Sequence, residues 1–184
     1  GDLPIADDGS IVIYKRLNIS NSTKNFPEGV PVYKDVHSGN IHQAVGTLVR
    51  VDDHLVDQNR RQDCSNGLHV ASLSYLSSFS GSVTIIGKVP PEKVFAVPEY
   101  NTNKMRVGEY HIVDVLPEEM RKVVNKGGSI TSVKGGVEFL NKVLTGNHPA
   151  PNLLVTVSGH LGTKLNYTQL DGAKAEVVVT KTKS

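Results

Sequence analysis

Short runs of β-branched and aromatic residues, separated by turn-forming residues, are the feature of this sequence that most constrains its fold. Four such runs occupy residues 11–16, 47–51, 83–89 and 107–115. Shorter runs at 67–71 and 94–97 predict further strands. Ser72 can cap a helix whose apolar residues Leu73, Leu76 and Phe79 recur about every three positions. The first 115 residues therefore predict an α+β fold, with a strand-dominated mixed sheet and a few short helices.

The remainder of the chain alternates helix and strand signals. Pro117, followed by two glutamates, predicts a helix through Val124, and residues 137–144 predict a second, amphipathic helix. Residues 153–157 and 173–180 predict strands. We expect residues 1–116 to form one domain. Residues 117–184 are expected to form a helical linker and a small β-containing C-terminal extension, which packs on the first domain or on a partner.

Size and composition are those of one folded domain with an appendage. The chain has 184 residues, of which 38% are hydrophobic and 21% charged, and its formal net charge is only +2. This balance gives no strong signal for nucleic-acid binding. No run approaches the roughly 20 apolar residues of a membrane span, and no secretory signal pattern is present. The first residue is Gly1 rather than methionine, which predicts a processed product or a fragment.

Cys64 is the one cysteine in the chain, so no intramolecular disulfide can form. It follows two arginines, which would favour the nucleophilic thiolate. With His69 or His37 as base, and Asp35 or Asp63 to orient that base, a Cys–His nucleophilic site can be written. The simpler interpretation is a packed thiol and a structural histidine.

The same residues offer ligand types that zinc accepts, but no two of them are spaced closely enough to form half a site. We therefore predict neither a metal nor a cofactor. Lys104 and Arg106 can present cations to an anion, although such a triplet with Met105 more often forms a solvated strand edge. At the end of the first strand, the ordinary expectation is a packed Tyr14 and an exposed Lys15.

Residues 63–72, read as DCSNGLHVAS and followed by Tyr75 and Phe79, are the most distinctive segment of the chain. Further landmarks occur in order along about 100 residues. They are Tyr14, Lys15, Asp35, His37, Ser38, Gly46, Val49, Val56, Asp57, Val97, Pro98, Lys104, Met105, Arg106 and Tyr110. Together they resemble the C-terminal part of the phage lysis-inhibition proteins of the rIIB type. Longer members of that family carry an N-terminal region that looks like a helix-turn-helix, and this chain has no counterpart of it. Conversely, we recognise no counterpart in the family for the tail of this chain after residue 116.

The resemblance implies a role in lysis inhibition or in countering exclusion by the host. We expect a non-catalytic module that binds a protein partner or itself, with Tyr14, Lys15, Ser38, Lys104, Arg106 and Tyr110 as binding residues. One alternative is a hydrolase or transferase centred on Cys64 and His69, with His37 and Asp35. Another is a virion structural component, so the expected location is the host cytoplasm or the virion. A weaker alternative rests on a Gly-Leu-His strand, a Ser- and Tyr-containing helix and Glu109, an order loosely similar to ADP-ribosyltransferase folds.

Overall fold

The computed structural model describes residues 4–52, 68–71, 81–96, 104–159, 163–171 and 176–182. Within them the strands are β1 (Ile11–Ile19), β2 (Tyr33–Asp35), β3 (His42–Gln43), β4 (Thr47–Val51), β5 (Leu68–Ala71), β6 (Val83–Val89), β7 (Val94–Ala96), β8 (Lys104–Val107), β9 (Glu109–Val115), β10 (Leu153–Ser158), β11 (Lys164–Asp171) and β12 (Glu176–Thr182). The helices are α1 (Glu118–Asn125) and α2 (Gly136–Leu144), with single 3-10 turns at Pro91–Lys93 and Ile130–Ser132.

These strands form one mixed sheet in the order β12-β11-β10-β4-β9-β6-β1-β5-β8-β7. One edge of β1 pairs with β6 along residues 11–17, while its other edge pairs first with β5 and then with β2. β2 also carries β3. The C-terminal strands join through β10, which runs parallel to β4. Residues on both sides of position 116 therefore share a continuous sheet.

Side chains on the two faces of the sheet form two separate cores. Because successive side chains of a strand point to opposite faces, Ile13 and Leu17 of β1 enter the first core while Val12 and Tyr14 enter the second. The first core gathers apolar residues mainly from strands, together with Ile41 from the segment before β3. The second also contains residues of α1, α2 and the 3-10 turn between them, so the helices cover this face.

The amphipathic patterns in the sequence give the two helices their places. α1 begins after Pro117, with Glu118 and Glu119 in its first turn, and buries Met120 and Val124. α2 follows Gly135, whose φ of 82° is a left-handed conformation that glycine adopts without strain. The expected α+β class, with a strand-dominated mixed sheet and few helices, is confirmed. The helix expected after Ser72 lies outside the described residues.

We predict that Gly136→Ala destabilises the contact between α2 and the preceding 3-10 turn. A Cβ at this position would lie 1.7 Å from the carbonyl oxygen of Ile130, so the backbone must shift to accept it. The expected loss is about 1–3 kcal/mol in the free energy of unfolding, measured by urea titration. Val137→Ala, at a side chain that is 58% exposed, is the matched control. Equal midpoints for the two variants would contradict the prediction.

Candidate functional site

Lys15 lies in the middle of β1 on the face that carries Ile13 and Leu17, so its side chain extends toward the first core. Its ammonium group donates a hydrogen bond to the backbone carbonyl of His69 in β5. The same Nζ atom lies 5.6 Å from the ring centroid of Tyr110, a cation–π distance. An exposed lysine was the ordinary expectation at this strand end, and it is wrong because the side chain lies on the face of β1 that carries the first core. We name Lys15, Asp35, Gln43, His69 and Tyr110 the Lys15 cluster.

The environment of Lys15 disfavours its charge. Burial lowers the pKa of Lys15 to about 8, although attraction to Asp35 acts in the opposite direction. An ammonium group on the inner face of a sheet is therefore held at a cost in stability. Such a cost is typical of functional positions, where a group is kept for what it binds rather than for packing.

Asp35 closes the turn that follows β2. Its two carboxylate oxygens accept hydrogen bonds from the backbone and hydroxyl of Ser38, at 2.8 and 2.6 Å, and from the backbone of Ile41 at 2.8 Å. Burial raises the pKa of Asp35, but these hydrogen bonds and the attraction of Lys15 outweigh it and leave the pKa below its usual range. The carboxylate therefore holds the backbone of residues 35–41 in place beside Lys15.

Two candidate histidines, His37 and His69, lie close together where the 35–41 turn approaches β5. The ring centroids of His37 and His69 are 6.1 Å apart. His37 is exposed at the tip of the 35–41 turn, whereas His69 is partly buried in β5. The structure thus brings together four of the predicted residues, Asp35, His37, Ser38 and His69, from two segments that are more than 30 positions apart in the chain.

Tyr110 and Gln43 form the floor of the cluster. The Tyr110 hydroxyl donates to Gln43 Oε1, and Gln43 Nε2 donates to the carbonyl of Ile41 at 2.9 Å. Both side chains are 0% exposed. Burial raises the pKa of Tyr110 above its ordinary value, so the hydroxyl is neutral. Sequence reasoning missed Gln43, since one glutamine in a two-residue strand gives no pattern.

The remaining predicted residues have different positions. Tyr14 is packed in the second core, as expected, and so lies on the opposite face from Lys15. Met105 and Arg106 are 1% and 4% exposed. The solvated-edge interpretation of this triplet is therefore wrong, because β8 lies between β5 and β7 rather than at an edge. Cys64 and the side chain of Lys104 lie outside the described residues.

Glu109 is engaged in an ion pair. Its Oε1 accepts from Arg50 Nε at 2.6 Å across the β4–β9 pair, and the glutamate is 7% exposed. Among the described residues, no group of three or more histidine, cysteine, aspartate or glutamate side chains is placed to hold a metal ion. In that same part of the chain, no helix has the length and apolar character needed to cross a membrane.

Comparison with known proteins gives the family. The family model described as bacteriophage T4 protein rIIB matches residues 1–125. This match covers more than half of the chain, and the chain belongs to the rIIB family. Protein rIIB of Enterobacteria phage T4 is 32% identical over 123 residues, which are 65% of this chain and 36% of that protein. The chain thus spans about a third of this relative. No solved structure matches this chain significantly.

We predict that Lys15→Met stabilises the protein at neutral pH. The folded-state pKa of about 8 lies below the unfolded value of 10.5, so the folded state charges less readily and Lys15 costs stability below pH 8. Replacing it with an apolar side chain of similar shape should raise the free energy of unfolding by about 1–3 kcal/mol at pH 7. The gain should shrink between pH 8 and 10, as followed by urea unfolding. A less stable variant at pH 7 would contradict this.

We predict the opposite effect for Asp35→Asn. An asparagine keeps one acceptor oxygen but replaces the other with a donor, which leaves turn hydrogen bonds unmade, at a cost of about 1–3 kcal/mol. Because the folded-state pKa of Asp35 is depressed, the difference from wild type should be present above about pH 4 and vanish as pH falls further. Ser38→Ala, which removes one of the donors, should show a smaller loss in the same titration.

Proposed function

We propose that this chain is a non-catalytic, rIIB-like domain that binds a protein partner in the host cytoplasm during lysis inhibition or the countering of exclusion. The contact surface is formed by the 35–41 turn, which carries the exposed His37 at its tip, together with the neighbouring Lys15 and His69. One observation carries the proposal: both oxygens of Asp35 are occupied by hydrogen bonds within its own turn. The carboxylate thus holds in place the turn that carries His37 at its tip, and a fixed turn supports a role as a binding surface.

The charged and polar groups of this contact surface indicate the chemistry of the partner. Lys15 is an incompletely buried cation, and the exposed His37 adds an imidazole whose ring nitrogens can form hydrogen bonds. The Asp35 carboxylate is already satisfied, so the surface is best matched by an acidic or hydrogen-bond-accepting group of a partner. A rigid turn also binds with a smaller loss of conformational entropy than a loose one.

Photo-cross-linking in infected cells tests this proposal. A photoreactive amino acid at position 37 should capture one discrete partner, which includes a second copy of this chain, whereas the same residue at position 137 on α2 should not. His37→Ala and Lys15→Met should each weaken recovery of that partner by about 10-fold. Equal capture from positions 37 and 137, or unchanged recovery by both variants, would refute the proposal.

A Cys–His hydrolase or transferase is the second candidate, and one observation favours it. The His37 and His69 rings lie 6.1 Å apart, so two candidate general bases are close together in space. If Cys64 is the nucleophile, its alkylation by iodoacetamide should follow a pKa well below about 8.5, and that pKa should rise in His69→Ala. A thiol that reacts only after unfolding would exclude this candidate.

A further inference from the structure

A second group of ionisable side chains lies on the helix-covered face of the sheet, away from the Lys15 cluster. His111 in β9 and Lys88 in β6 are paired across adjacent strands. Asp8 comes from the turn before β1, and His148 comes from the segment between α2 and β10. Four separate segments of the chain therefore meet at this group. We name Asp8, Lys88, His111 and His148 the His111 cluster.

The two histidines are unusual because one ring nitrogen of each, Nε2, is buried without a hydrogen-bond partner among the described residues. The ring centroids are 5.7 Å apart, and His111 is 8% exposed. Neither Nε2 atom has a hydrogen-bond partner among the described residues, although both are shielded from solvent. His148 Nδ1 lies 3.1 Å from the carbonyl oxygen of Pro149. Only a protonated Nδ1 can donate to that oxygen, so the neutral ring leaves Nε2 as a bare acceptor.

The charged neighbours of the pair oppose a further positive charge. The Lys88 side chain is 6% exposed, and its Nζ is 4.0 Å from Asp8 Oδ2, whose own side chain is 60% exposed. One buried ammonium group thus faces His111, while the balancing carboxylate is largely in water. Burial, followed by His148 and then Lys88, lowers the pKa of His111 to about 4, although Asp8 acts in the opposite direction.

The cluster also holds two parts of the chain together. His148 lies outside the part of the chain that the rIIB family model matches, and His111 lies inside it. The segment that carries His148 leads directly into β10, through which the C-terminal strands join the sheet. A second link nearby runs from the backbone of Asp7 to the carbonyl of Leu144 at the end of α2.

We propose that His111 and His148 form a proton-sensitive latch between the rIIB-like part of the chain and its C-terminal extension. With the His111 ring neutral, residues 145–152 stay packed against β9. Protonation of His111 places an imidazolium beside Lys88 in a buried site, and opening of the segment relieves this by hydrating the ring. The extension then loosens while β1, β6 and the Lys15 cluster stay folded.

The direction of the pH dependence follows from linkage. An opened segment exposes His111 to water, where its pKa returns to about 6.5, so the opened state binds the proton more readily. The latch is fully closed above about pH 6.5 and weakens as pH falls toward 4. A shift between these two pKa values increases the opening equilibrium constant about 30-fold between pH 7.5 and pH 5.

Hydrogen exchange measures this opening in the intact chain. After correction for intrinsic exchange rates, amides of residues 145–158 should show the 30-fold increase, and amides of β1 and β6 should show little change. His111→Gln should abolish the increase, since glutamine cannot take up the proton. His148→Gln should reduce it. His37→Gln, at an exposed histidine outside the cluster, should retain it in full.

Two outcomes would overturn the proposal. One is an equal rise in exchange for β1, β6 and residues 145–158, which would indicate global unfolding. The other is a wild-type pH response in both glutamine variants of the cluster. If His111→Gln does not fold, titration of the His111 ring protons by NMR in the wild-type protein decides, because the latch requires a pKa far below 6.5.

Discussion

Strand β1 has a neighbour along both edges, and this constraint determines what the middle of the strand can carry. β6 follows one edge for seven residue pairs, while β5 and β2 share the other. The side chain of Lys15, at the centre of the strand, lies on the face that carries the first core and cannot reach water freely. Its ammonium group is satisfied by the His69 carbonyl and the Tyr110 ring, and it attracts Asp35 from the next strand. Asp35 in turn fixes the 35–41 turn, and with it His37, through hydrogen bonds from Ser38 and Ile41.

The local pattern of the sequence was sufficient for elements whose side chains alternate or repeat clearly. β4 and β6 have the bounds expected from their β-branched runs, and α1 and α2 lie within one residue of the expected ranges. β11 was missed because its residues, KLNYTQLD, mix polar and apolar positions without a strong period. β2 and β3 are too short to give any pattern. The parallel pairing of β10 with β4 joins distant residues, and no local signal encodes it.

For the candidate site, the resemblance to rIIB proteins selected Asp35, His37, Ser38 and Tyr110, which the structure places close to one another. It did not give their roles. Whether Lys15 is buried depends on which residues pack on its face of β1, and whether β8 is a sheet edge depends on its pairing with β7. These are properties of sheet order. The role of Gln43 depends on its hydrogen bond with Tyr110, a residue that is distant from it in the sequence.

The pairing of β4 with β10 has a consequence for the order in which the protein is made. β4 is synthesised roughly 100 residues before β10, so one of its edges stays unpaired until β10 has left the ribosome. An open strand edge on a nascent chain is a template for pairing with other chains. Strands β10 to β12 thus protect the open edge of β4 late in synthesis, after the other strands of the sheet have been made.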